Sequence, residues 1–81
     1  MGNKEKVVDL DDVQKEIISI CEKRYGHIDH NRYFVAEDSN VHDVRQYILN
    51  NLSVEERKKS IYLDMTVYIL QAGKDVFISL N

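Results

Sequence analysis

IYLDMTVYIL, Ile61 to Leu70, can be read with two different periods, and the choice decides the fold. At 3.6 residues per turn, Val54, Ile61, Met65, Tyr68, Ile69 and Ala72 fall on one arc of a helix. With period two, Ile61, Leu63, Met65, Val67 and Ile69 alternate with Tyr62, Asp64, Thr66 and Tyr68, as along a half-buried strand. The flanks pull both ways. Ser53-Val54-Glu55-Glu56 spells a capping box that would start a helix at Val54, and Gly73 would stop it at C′. The β-branched and aromatic content favours a strand, which would turn through Ala72-Gly73-Lys74-Asp75 and pair with Val76 to Leu80. Start and stop signals at a distance typical of a long helix tip the reading to a helix over 54–72. The alternative is a β-hairpin, 61–70 with 75–80.

Upstream, the signals agree better with one another. Leu10, Val13, Ile17 and Cys21 recur at helical spacing, with Ile20 beside them. Asp11 can cap this helix, with Gln14 three residues on reaching back. Lys23 and Arg24 favour its negative end, and Gly26 fits the left-handed position that stops it. Arg32-Tyr33-Phe34-Val35-Ala36 is an apolar run of strand type and length, followed by the turn residues Glu37-Asp38-Ser39-Asn40. A second helix is expected from Val41, capped by Asn40 with Asp43 at its third position. Its apolar face is Val41, Val44, Tyr47 and Ile48, and Asn50-Asn51 is its natural break. The expected fold is therefore mainly α: one domain over 1–81, helices at 10–25, 41–51 and 54–72, extended segments at 32–36 and 76–80, and a frayed start over 1–8. The alternative is an α+β domain closed by the C-terminal hairpin.

Composition narrows the function classes. Eighty-one residues, 43% hydrophobic and 31% charged, suit a small folded domain with little room for a cleft beside its core. A net charge of −3 does not favour a phosphate-binding surface. One cysteine permits no intramolecular disulfide and fits a reducing compartment. With no apolar leader behind Met1-Gly2-Asn3-Lys4 and no membrane-length apolar run, the expected location is cytoplasmic, with no membrane partner.

Gly26-His27-Ile28-Asp29-His30 raises the question of a metal. Cys21, His27, His30 and His42 are the residue types zinc accepts, but their spacing forms no Cys-x2-Cys knuckle. Cys21 shares the apolar helix face with Ile17, where a free cysteine acts as a small hydrophobe. It also lies toward the negative end of its helix, which opposes thiolate formation. A solvated loop cluster with Asp29 is the plainer reading, so no metal, cofactor or catalytic residue is expected.

Arg57-Lys58-Lys59 is the one basic run, and Arg45 can join it. Under the hairpin reading, the order helix–strand–helix–helix–hairpin resembles a winged helix in outline. Residues 41–52 and 54–60 would then be the helix-turn-helix and Gln71-Ala72-Gly73-Lys74-Asp75 the wing tip. That resemblance implies a DNA-binding regulator using Arg45, Arg57, Lys58 and Lys59. Against it, Glu55 and Glu56 would sit in the first turn of the recognition helix, where phosphate and base contacts concentrate.

Under the helical reading, residues 61–72 carry more apolar surface than one core contact needs. Leu63, Val67 and Leu70 form a second stripe at i, i+4, i+7. Either Val76 to Leu80 covers it, or a partner does. The functional expectation is a small non-enzymatic interaction module: a regulator, inhibitor or accessory factor. It would bind a protein partner or a second copy of itself through Leu63, Val67 and Leu70, with DNA binding as the alternative. The state of residues 61–70 is the discriminator.

Overall fold

A computed structural model describes residues 8–28 and 32–81. In chain order the elements are α1 (Leu10–Tyr25), β1 (Tyr33–Ala36), α2 (Val41–Asn51), a 3-10 turn (Glu56–Lys58), α3 (Lys59–Thr66), β2 (Val67–Ala72) and β3 (Asp75–Leu80). The strands form one antiparallel sheet in the order β1-β3-β2. The domain is therefore α+β, and the expected mainly α three-helix fold is incorrect. The C-terminal hairpin pairs 67–72 with 75–80, where the alternative reading expected 61–70 with 75–80. The expected fraying at 1–8 falls, but for Val8, outside the described residues.

Each reading of IYLDMTVYIL holds for half of it: residues up to Thr66 are helical, and β2 begins at Val67. The helix stops because its last carbonyls find partners elsewhere. Thr66 Oγ1 donates back to the carbonyls of Tyr62, at 2.8 Å, and Leu63, at 3.2 Å. The Asn81 side chain donates to Met65 O at 3.3 Å, and its backbone N–H to Thr66 O at 3.0 Å. Gln14 Nε2 of α1 also donates to Thr66 O, at 2.9 Å. The groups that would continue the helix are thus satisfied without it, and Val67 starts a segment of β-branched and aromatic residues suited to a strand.

The helix start is also corrected. Glu55, at φ −54 and ψ 133, is not helical and no side chain caps α3, so the Ser53 box does not open a helix at Val54. The Ser53 backbone N–H instead donates to Glu16 Oε2 of α1 at 2.9 Å, a tertiary contact that displaces the local cap. Similarly, α1 is capped by Asp9, whose Oδ1 accepts from Asp11 N at 2.9 Å, while Gln14 is occupied at the α3 end. Gly26 has φ 87 and ψ −164, a positive-φ extended conformation that excludes side chains more strictly than the left-handed helical one expected. In α2, Asn40 and Asp43 bond reciprocally as anticipated, at 2.9 and 3.1 Å. Gly73, φ 64, takes the first central position of the two-residue β2–β3 turn, where a type II′ hairpin needs glycine.

The core gathers Val13, Ile17, Ile20 and Cys21 from α1 with Val44, Ile48 and Leu52 from α2 and its end. Phe34, Ala36, Val67, Val76 and Ile78 meet them from one face of the sheet, and Leu63 from α3. Leu63 is fully buried, whereas Ile61 two residues away is 56% exposed. Leu63→Ala should therefore lower unfolding free energy by about 2–5 kcal/mol, and Ile61→Ala should change it by no more than about 0.5 kcal/mol. Urea denaturation of both variants checks the pair: equal losses would contradict this placement of α3.

Candidate interaction surface

The structure divides the expected stripe. Leu63 and Val67 are core residues, at 0% and 3% exposure, and no partner can reach them; Leu70 is accessible. The exposed large hydrophobics among the described residues are Val8, Ile61, Met65, Tyr68 and Leu70. All but Val8 fall within IYLDMTVYIL. Ile61 and Met65 are i, i+4 neighbours on α3. Tyr68 and Leu70 are i, i+2 neighbours on one face of β2. Met65 and Tyr68 are three positions apart, so their Cα atoms lie within about 11 Å of each other.

Register extends the β2 part across the sheet. Tyr68 pairs with Ser79, which pairs with Tyr33; Leu70 pairs with Phe77, which pairs with Val35. Directly opposed residues share a face. Tyr33, Val35, Tyr68, Leu70 and Phe77 therefore stand on the face opposite the core. Tyr33 and Phe77 stack at 5.3 Å between centroids, tilted by 55°.

The cations expected for DNA are partly engaged. Arg45 of α2 donates to Asp64 Oδ1 at 2.7 Å and to Ser60 Oγ at 3.0 Å, clamping α2 to α3. Lys59 Nζ lies 3.3 Å from Glu56 and is largely covered. Arg57 and Lys58 are exposed, as is Lys74 at the hairpin tip, 4.0 Å from Asp38. Beside Ile61 and Met65, α3 thus presents Asp64, paired with Arg45 of α2.

The cysteine–histidine set is dispersed where it is described. Cys21 is buried in the core, His27 is solvent-exposed 3.9 Å from Glu22, and His42 is exposed in the first turn of α2. His30 and Asp29 lie outside the described residues. No group of three metal-capable side chains occurs among the described residues. Burial pushes the Cys21 thiol up to about 12, far from the lowered range of a nucleophile or ligand. An open concavity lies between the end of α1 and β1, lined in part by Arg24, His27, Tyr33, Glu37 and Asp38. Its walls carry both signs of charge. Arg24 lies over the Tyr47 ring at 4.6 Å, and Tyr47 in turn donates its hydroxyl to Ile20 O at 3.2 Å.

The exposed apolar residues are legible in the sequence as a surplus, and of the four within 61–70 only Leu70 is singled out there as exposed. Reading 61–72 as one helix assigned the wrong members, because the period changes at Thr66. Among the described residues, no helix is long and apolar enough to cross a membrane. Comparison with known proteins finds no matching family model, no similar curated protein and no similar solved structure.

The Cys21 geometry has a direct chemical test. In the native protein near neutral pH, its thiol should react with an aromatic disulfide reagent only as fast as the chain unfolds, and immediately in denaturant. Rapid native labelling would contradict its burial.

Proposed function

We propose that this domain is a protein-binding module whose contact surface is built on Ile61 and Met65 of α3 and Tyr68 and Leu70 of β2. One observation carries the reading: these four side chains, between 49% and 58% exposed, lie within ten consecutive residues. A monomer gains nothing from leaving them in water, since burying each is worth about 1.5–3 kcal/mol. Concentrated apolar exposure with charged residues around it is the pattern of an interaction site. Arg57, Lys58 and Glu56 supply such a rim in the 3-10 turn that precedes α3. The module acts as a regulator, inhibitor or accessory factor, by occupying a partner surface rather than by chemistry of its own.

A second reading is favoured by the order α2–α3–hairpin and by exposed Arg57, Lys58 and Lys74: a DNA-binding domain with α3 as recognition helix. Here α3 offers the groove Ile61, Met65 and Asp64. Isoleucine and methionine can touch a thymine methyl but satisfy no phosphate, and Asp64 holds Arg45 in an ion pair instead of leaving it free for one. The overall charge of −3 adds to that repulsion.

The double variant Ile61→Glu/Met65→Glu separates the readings. It should keep the circular dichroism spectrum and unfold within about 1 kcal/mol of wild type, since neither residue is in the core. Immobilised wild-type protein should retain a partner from its source cells that the variant does not, and neither should shift duplex DNA at low salt. Equal retention by both proteins would sink the protein-binding reading. A salt-sensitive shift lost on Arg57→Ala/Lys58→Ala would establish the DNA reading instead.

A further inference from the structure

We infer that the surface formed by β2 takes a second copy of this chain, joined by antiparallel pairing of β2 with the partner's β2. This rests on the protein-binding reading and names the partner for its β2 half. The order β1-β3-β2 leaves β2 at an edge. Proteins usually guard such edges with lysine, proline, a bulge or brevity. β1, the other edge, is short at four residues and flanked by Arg32, Glu37 and Asp38. β2 has none of these protections: Val67-Tyr68-Ile69-Leu70-Gln71-Ala72 is six residues long, without charge or proline. The Val67 N–H donates to Leu63 O of α3; among the described residues, no other hydrogen bond to the β2 backbone comes from outside its ladder with β3. The Gln71 side chain accepts from Val41 N and donates to Ser39 O, so it ties β2 to the start of α2 and leaves that backbone edge free.

The choice of a second copy follows from the sequence of the edge. Antiparallel pairing that continues the sheet must set outer-face residues opposite outer-face residues. A two-fold axis through Ile69 does this. It places Tyr68 opposite Leu70 in both directions, Ile69 opposite Ile69, and Val67 opposite Gln71. The outer-face pairs then set an aromatic ring against an aliphatic side chain, with no charge opposed to a like charge. Two chains of charge −3 meet where neither carries a charge. Beyond the paired strands, the register brings Lys74 of each hairpin tip toward the partner's α3 end, where Asp64 is exposed. The segment is thus its own complement in shape, face and charge. The product is a six-stranded sheet, β1-β3-β2-β2-β3-β1, whose outer face joins both copies' Tyr68 and Leu70.

Light scattering on the full chain over a dilution series, with a disulfide test of register, decides the matter. Wild type should approach twice its chain mass of 9.5 kDa. Leu70→Lys should return the mass to that of one chain with an unchanged circular dichroism spectrum. Directly opposed Cα atoms lie about 4.5–5.5 Å apart, within disulfide reach. Mixed Tyr68→Cys and Leu70→Cys proteins should therefore cross-link to each other faster than either does to itself under mild oxidation. The register arm does not depend on how Leu70→Lys folds. A single-chain mass at every concentration would overturn the second copy. The protein-binding reading would then stand or fall separately, on the Ile61→Glu/Met65→Glu comparison. A dimer lacking the mixed cross-link would overturn the β2 register.

Discussion

The carbonyls that close α3 are the constraint on which the rest of the domain depends. Every helix leaves its last carbonyls without intrahelical partners, and other donors must satisfy them. Here the Thr66 hydroxyl, the Asn81 backbone and side chain, and Gln14 of α1 all donate into that turn. The helix ends at Thr66 because two distant segments, the start of α1 and the end of β3, converge there. That convergence also ties the last residue of the chain to the first helix, through Gln14 Nε2 to Asn81 O at 3.3 Å.

The change of period at Thr66 sets the surface. Before it, every third or fourth side chain faces the core, so Leu63 is buried and Ile61 and Met65 are not. After it, every second one does, so Val67 is buried while Tyr68 and Leu70 are not. A helix continuing to Ala72 would place these residues quite differently. The functional reading is therefore a consequence of one backbone junction. The same junction orients α3 so that Asp64 meets Arg45, withdrawing a cation from the face where a nucleic acid would lie.

How much of this the sequence reveals depends on whether the deciding contacts are local. The bounds of α1 and α2 are legible, because Asn40 with Asp43, the apolar spacing and Gly26 all act within a few residues of the element they define. The sequence also shows that 61–70 holds more apolar side chains than a small core requires. The ends of α3 and the start of β2 are not legible. Ser53 spells a cap that Glu16, 37 residues away, diverts. Gln14 spells half of another and is used 52 residues away at Thr66. Leu63, Val67 and Leu70 follow from a single period, so misplacing the junction put two core residues in the expected site. The burial of Cys21 was legible from its place beside Ile17.

The exposed surface of the domain depends on the backbone of residues 61–72. Cα and Cβ chemical shifts measured by NMR report helix and strand with opposite signs, residue by residue, in the intact protein. Helical shifts through Met65, extended shifts from Val67 to Ala72, and a contact between Ile69 and Ile78 across the β2–β3 ladder are the expected result. Helical shifts continuing to Ala72, with no contact to β3, would contradict it.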